Sequence, residues 1–476
     1  MSESNIKLLK KSFKNVLYSF SAQAIALILS TTRVLLIPKA IGIEEYSYWQ
    51  LYLFWIGYVG FFHFGFNDGI LLKYGGEKYN DLDKELFRSQ FITLFVSQFL
   101  IAIAIIVFFE LHSTEEERLF ISYTVALTLI INNLSGFFWC ILQSTNRFRE
   151  YTRAITIDKF LFLLCVILLL VLNVKNFKIY IITYLFTIFF SLAYTIYTCK
   201  DLVVGKLSTF SISLKEAYSN ISVGIKLMIA NIASMLILGS GRFIIDRIWG
   251  ITTFGKISFS LSITSMVLLF INAISIVLFP TLRQIPRERL SDTYVILRTV
   301  LMTLLTGILI FYIPIQYLLN LWLPQYSESL EYLAILFPLC IFEGKMQMLI
   351  STYLKVARKE SMLLMINLLS VIISVLLCVF SALIFRSITL VVISMVIGTA
   401  IRCLIAELYL LKFLNLSFIG NFIDEIILGG IFIVSTWYLD GLLGLAIYLF
   451  AYIVLISCHR NNIRLSLKLI RQVLNR

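Results

Sequence analysis

Ile41-Gly42-Ile43-Glu44-Glu45-Tyr46-Ser47 returns half a chain later as Trp249-Gly250-Ile251-Thr252-Thr253-Phe254-Gly255. Each copy closes a long apolar stretch that carries an arginine, Arg33 in the first and Arg242 in the second. A charge placed twice inside hydrophobic sequence, at nearly the same distance before a shared glycine, indicates a duplicated unit whose halves face each other around a site. Many membrane transporters are built on that plan.

Outward from these two stretches the whole chain is apolar. Of 476 residues, 59% are hydrophobic and 14% charged, against about 25% charged in a soluble domain, and the mean hydropathy is +0.91. Runs of about 18 to 25 apolar residues, long enough to cross a ~30 Å hydrocarbon core, recur with short polar breaks. They predict spans at 16–41, 46–70, 91–109, 119–142, 155–172 and 177–199, then at 221–249, 257–282, 294–323, 332–356, 362–385 and 388–411, and finally at 422–439 and 442–458. The expected fold is therefore an all-α polytopic membrane protein of about fourteen helices, since continuous runs of this length exclude a barrel. The basic start, with Lys7, Lys10, Lys11 and Lys14, precedes an apolar run too long for a signal peptide and reads as a retained first span.

The net charge of +13 does not point to nucleic acid, because the basic residues are confined to alternate loops. Lys73, Lys78, Lys84 and Arg88 share a side with Arg147, Arg149 and Arg153, with Lys200, Lys206 and Lys215, with Arg283, Arg287 and Arg289, and with Lys355, Arg358 and Lys359. The intervening loops are acidic or neutral, and the positive-inside rule then puts both termini in the cytoplasm. An even number of spans requires the same. The tail at 461–476, with Ile463, Leu467, Ile470 and Leu474 on one face, reads as a basic amphipathic helix on anionic lipid or as a solvated extension. The cysteines lie scattered through apolar segments without metal-ligand spacing, and neither a metal site nor a cofactor is expected.

Polar stripes run inside several spans. Ser19, Gln23, Ser30 and Arg33 share a face of the first, and Thr124, Thr128, Asn132 and Ser135 a face of the fourth. The seventh offers Asn231 and Ser234, and the eighth Ser258, Ser262, Ser265 and Asn272. Gln23, Ser30, Asn132, Asn231 and Asn272 are read as the polar lining of a hydrated cavity, although small polar residues also serve helix packing. The charges are more specific, because an arginine or lysine at a helix centre costs about 2.5 to 3.5 kcal/mol on insertion scales. Arg33, Lys226, Arg242, Lys345 and Arg402 lie within spans, with Asp246, Glu343 and Glu407 to oppose them. Arg242 and Asp246, four apart, can neutralise each other along their helix, and Lys226 is close enough to its span end to snorkel. Glu343 and Lys345 face different sides. Arg33 and Arg402 have no acid at helical spacing. A surplus of fixed positive charge predicts an anionic, phosphorylated cargo held by Arg33, Arg242, Arg402 and Lys345. Asp246, Glu343, Glu407 and Asp68 are the candidates for charge partners or ion coupling. No nucleotide-binding loop is visible.

The run Pro38 to Trp49, followed by Phe64-Gly65-Phe66-Asn67-Asp68-Gly69, resembles the first two spans of the Wzx-type O-antigen and polysaccharide repeat-unit flippases of the multidrug/oligosaccharidyl-lipid/polysaccharide exporter superfamily. Arg242 to Gly255, continuing to Leu278-Phe279-Pro280-Thr281-Leu282, resembles their seventh and eighth spans. The resemblance implies two pseudo-symmetric six-helix lobes, here 1–205 and 206–415, around a central cationic cavity, with two further helices in 416–460. It implies a non-enzymatic transporter of the bacterial inner membrane that moves undecaprenyl-diphosphate-linked oligosaccharide outward by alternating access, among membrane lipid and other polysaccharide-assembly proteins. The family's first-span cavity arginine falls on Arg33, and a second-lobe basic position on Arg242. Lys345 and Arg402 rest on the cavity argument alone. Two other readings compete: a multidrug exporter of the same superfamily, which would place an acid where Arg33 stands, and an O-antigen polymerase or ligase, which would carry a large periplasmic loop.

Overall fold

The computed structural model describes residues 28–283, 286–416, 421–439, 441–461 and 464–465, with the side chains of 270, 272–281, 283, 287, 421 and 441 excepted. Gln23, Asn272 and most of the amphipathic tail lie outside that description. Among the described residues the chain is helical at each predicted span. Helix α1 covers residues 28–40 of the first. In the first half follow α2 (Ile43–Val59), α3 (Phe66–Lys73), α4 (Lys84–His112), α5 (Glu116–Ser144), α6 (Phe148–Val171) and α7 (Phe177–Thr198), and then the long α8 (Phe210–Trp249). The second half holds α9 (Ile251–Arg283), α10 (Leu290–Ile308), α11 (Tyr312–Trp322), α12 (Ser327–Leu336), α13 (Leu339–Lys345), α14 (Ser351–Val356), α15 (Glu360–Leu383), α16 (Ile388–Phe413), α17 (Asn421–Tyr438) and α18 (Gly441–Cys458). Nine described helices are long and apolar enough to cross a membrane, and a bent pair, Pro324–Leu336 with Leu339–Val356 at 50°, makes a tenth. The remaining predicted spans correspond to α1, the broken α2–α3, α17 and α18.

The two echoing stretches both introduce a helix, but with different backbones. Gly42 precedes α2 in an extended conformation at φ −69°, whereas Gly250 joins α8 to α9 at φ +82°, a left-handed geometry that favours glycine. Glu44 and Glu45 in the first turn of α2 suit the positive end of its dipole. Glu45 also reaches out to accept a hydrogen bond from the Phe177 backbone N–H at 2.7 Å, satisfying an orphan donor at the start of α7.

The chain divides into two compact units, Met1–Ile232 and Ala233–Arg476. In the first, α5 packs against α2, α3, α4, α6 and α7. Helix α4 shows how lipid inverts the usual pattern: Phe95, Phe99, Leu100, Ile103 and Phe108 are exposed, while Leu94, Gln98 and Ala102 face inward. The boundary falls inside α8 rather than at the loop near 205, because the start of α8 is bound to the first unit. Glu216 pairs with Lys73 and accepts from Tyr74 at 2.8 Å, and Asn220 donates to Gln90 at 2.9 Å.

The second span is broken. A tight 3-10 turn at Gly60–His63 leads through Phe64 (φ 53°) and Gly65 (φ 83°) into α3. Carbonyls freed by such a break at membrane depth need new donors. Asn133 Nδ2 donates to the Val59 carbonyl at 3.0 Å and Gln98 Nε2 to the Phe62 carbonyl at 3.1 Å. Asn133 also donates to the Gln98 side chain at 2.7 Å, and Asn67 donates to the Asn133 carbonyl at 3.0 Å.

The Gly65–Gly69 pair of the family-like motif then meets α8 backbone to backbone. A Cβ on Gly69 would overlap the Asn220 carbonyl, and one on Gly224 would overlap the Gly65 carbonyl. This is the small-residue crossing that lets membrane helices approach without side chains between them. Gly69→Val is therefore expected to destabilise the first unit by at least the upper part of the ~1–3 kcal/mol range of overpacking. Gly430→Ala, whose added methyl meets nothing within 4 Å, should be silent. Yield and monodispersity of the detergent-solubilised variants measure the difference, and a well-behaved Gly69→Val protein would contradict the crossing.

Candidate functional site: buried charges in two units

Arg33 lies half-buried on α1, its guanidinium 5.8 Å from the centroid of the Phe162 ring on α6. Phe162 stacks on Trp49 at 5.9 Å and meets Tyr184 of α7 edge-on at 5.3 Å. Tyr52 packs on Tyr184 at 6.0 Å and its hydroxyl shares a hydrogen bond with Thr128 at 2.7 Å. The arginine thus lies over one ring of an aromatic cluster built from α2, α6 and α7, with Tyr52 and Tyr184 within electrostatic range of it, and a ring face attracts a cation without neutralising it. Among the described residues Arg33 makes no ion pair. Asp158 and Lys159, one turn before Phe162, are within electrostatic range of it, and Asp158 Oδ1 is buried without a hydrogen-bond partner. Neither residue stands out in the sequence reading. Their position inside a predicted span, with Asp158 four residues before an aromatic, was the available signal.

Arg242 on α8 is held differently. Its Nε and Nη2 donate to Ser258 Oγ on α9 at 3.1 and 2.9 Å, and its guanidinium lies 5.1 Å from the Phe254 ring centroid. Asp246 is buried one turn further along. Of the other candidates, Asp68, Ser30 and Asn132 are half-buried and Asn231 is exposed. The neighbour of Asn132, Asn133, is the asparagine that mends the broken span.

Lys345 and Arg402, read from the sequence as cations awaiting an anion, are both matched by carboxylates in this conformation. Arg402 on α16 donates through Nη1 to Glu343 on α13 at 3.1 Å and through Nε to Asn367 on α15 at 2.9 Å. Glu343 also accepts from Gln347 at 2.8 Å. Spacing along α16 shows no acid for Arg402 because its partner comes from another helix.

Lys345 belongs to a buried quartet. Its ammonium bonds Glu407 of α16 at 2.6 Å and also Glu425 of α17, and it faces the Phe422 ring at 4.7 Å. Arg298 of α10 bonds Glu407 through Nε and Glu425 through Nη2 at 3.3 Å. Tyr294 adds a hydroxyl to Glu407 at 3.3 Å. All four charged side chains are at most 3% exposed. Two cations and two anions sum to zero, which is how charges persist at membrane depth. The quartet sits beside two irregularities, the bend at Phe337–Pro338 and the wide π turn at Met346–Ile350. Arg298 and Glu425 are absent from the sequence candidates, although Arg298 lies as plainly within a predicted span as the cations that were chosen.

Fold and charge together define a polytopic membrane protein with a half-buried arginine beside an aromatic cluster in its first unit. A family model described as polysaccharide biosynthesis protein matches residues 12–286, more than half of the chain, and the protein belongs to that family. Solved structures share the fold at low identity. The lipid II flippase MurJ, in an inward closed conformation, is 16% identical with a TM-score of 0.65, covering 93% of this chain and 99% of its own. An inward-facing multidrug resistance MATE transporter of the MOP superfamily is 13% identical with a TM-score of 0.62, covering 84% and 98%. A MOP superfamily transporter from Pyrococcus furiosus, described as having a binding pocket of reverse polarity, is 12% identical with a TM-score of 0.54, covering 84% and 96%. A comparison with curated proteins finds no match.

Proposed function

We propose that the protein is a flippase that carries an undecaprenyl-diphosphate-linked oligosaccharide from the cytoplasmic to the periplasmic leaflet of a bacterial inner membrane, with both termini in the cytoplasm. The observation that carries this reading is Arg33, over the Phe162 ring and without an ion pair among the described residues, in a chain of the polysaccharide biosynthesis family. A diphosphate loses its hydration on entering a membrane protein and needs fixed positive charge in return. A guanidinium suits it, because the planar fork meets phosphate oxygens in pairs and stays charged at any working pH. A cation–π contact uses none of the guanidinium's N–H donors, and in this reading those donors serve the diphosphate. Outward movement of an anion from a negative cytoplasm is favourable by about 2.3 kcal/mol per charge per 100 mV, so the membrane potential supplies drive without nucleotide hydrolysis. An arginine at this position also disfavours cationic drugs as cargo.

The test is to delete the gene and locate the lipid-linked repeat unit. A flippase mutant traps single units on the cytoplasmic face, sealed from periplasmic enzymes. Single units displayed outside would indicate a polymerase instead, and an unchanged lipid pool would overturn the reading.

A further inference from the structure

The quartet is not sealed on all sides. A crevice of about 30 Å³ lies against it, its polar groups supplied by Thr299, Thr303 and Thr306 of α10, by Asp424 and Glu425 of α17 and by His459 just past α18, with apolar side chains of α10, α17 and α18 lining the rest. That is room for about one water molecule. At the mouth, His459 Nε2 and Asp424 Oδ2 are 3.0 Å apart, and both side chains are partly exposed. Glu425 forms the inner end, and Glu407 is not part of the lining.

The two carboxylates of the quartet are unequally held. Glu407 accepts from Arg298 Nε, from Lys345 at 2.6 Å and from the Tyr294 hydroxyl. Glu425 has the shared Lys345 ammonium and a longer 3.3 Å contact to Arg298. The groups facing Glu425 are thus Arg298 and Tyr294 from α10, Lys345 from α13, Glu407 and Cys403 from α16, Asp424 on its own helix and His459 beyond α18. Two carboxylates that share one ammonium repel each other, and a proton relieves the repulsion at the more weakly held member. Imidazole is the side chain suited to passing protons near neutrality.

We propose that Glu425 is a proton-binding site, loaded through the crevice from the His459–Asp424 pair. The proton leaves bulk water, passes by the imidazole or the Asp424 carboxylate and one intervening water, and converts the Glu425 carboxylate to the acid. Nothing is oxidised or reduced. Loading changes the quartet from neutral to one net positive charge and removes the ionic tie of α17 to Lys345 and Arg298. The proposal deepens the transport reading by naming a coupling ion, and rests on that reading only for the use made of the proton.

The site is tested without cargo, on the full-length protein in proteoliposomes, by difference infrared spectroscopy of the carboxyl C=O region as the pH is stepped from about 8 to about 5. Wild type should gain a buried carboxylic-acid band that Glu425→Gln abolishes. The double variant His459→Ala with Asp424→Asn should keep the band but slow its rise after a pH jump roughly a hundredfold or more, the loss expected of a positioned proton carrier, and an unslowed rise would overturn the route through the pair. If Glu425→Gln does not yield monodisperse protein, Glu425→Asp decides, because it must move the band. Absence of the band in wild type, its survival in Glu425→Gln, or an unmoved band in Glu425→Asp would each overturn the proposal. Surface display of the oligosaccharide, scored separately, tests the flippase reading: if display is independent of the gene while the band behaves as expected, that reading fails and the proton site stands.

Discussion

Arg33→Ala is expected to abolish export of the lipid-linked oligosaccharide with the protein still in the membrane at normal abundance, and Arg33→Lys to restore only part of it. Phe162, Trp49, Tyr52 and Tyr184 pack on one another, so removing the guanidinium leaves an aromatic cluster that holds itself together. What disappears is the charge. A hydrogen bond to a charged group contributes about 1.5–3 kcal/mol, and losing a two-pronged contact forfeits two of them. Lysine returns the charge as a point without the fork. Immunoblots of surface polysaccharide, read against membrane abundance, measure the effect, and full export by the alanine variant would sink the assignment of Arg33.

The second large effect is expected at Arg298, and it concerns folding. Arg298→Ala leaves Glu407 and Glu425 facing Lys345 alone, with one negative charge uncompensated in a site at most 3% exposed. Breaking a buried pair from one side costs about 3–5 kcal/mol, much of the ~5–15 kcal/mol that holds a typical domain together. The variant should fail to accumulate as monodisperse protein. Replacing Arg298 and Glu407 together by methionine keeps the remainder neutral and should recover much of the loss, since well-packed apolar residues often substitute for a buried pair without penalty. Thermal stability in detergent separates the cases. Normal stability of Arg298→Ala would contradict the reading of Arg298 as the charge that balances Glu407 and Glu425. Glu425→Gln, which mimics the loaded state, should be tolerated far better than Arg298→Ala, an asymmetry that simple charge counting does not give.

The spans were legible in the sequence because length and hydropathy are local quantities. The break at 60–65 was not, because Gly60 and Gly65 sit in an aromatic run apolar enough to pass as one continuous helix. The donors that satisfy its freed carbonyls lie far away, in Gln98 and Asn133. The choice of Asn132 as cavity lining illustrates a related limit: neighbouring helix positions differ by about 100°, and the stripe containing Asn132 leaves Asn133 on the face that binds the break. Arg33 and Arg242 were visible as charges inside apolar sequence. Their surroundings were not, and neither were the pairings of Lys345 and Arg402, which join residues from α10, α13, α16 and α17. A surplus of positive charge counted along the sequence becomes, for Arg298, Lys345 and Arg402, an even balance with Glu343, Glu407 and Glu425.

That balance has an electrical meaning. Work done by the membrane field scales with net charge moved, about 2.3 kcal/mol per charge per 100 mV. A quartet of two cations and two anions can therefore shift along the membrane normal as a body with no electrical work, invisible to the voltage across it. A single added proton ends that invisibility, and the same group of side chains then becomes a charge on which the voltage can push.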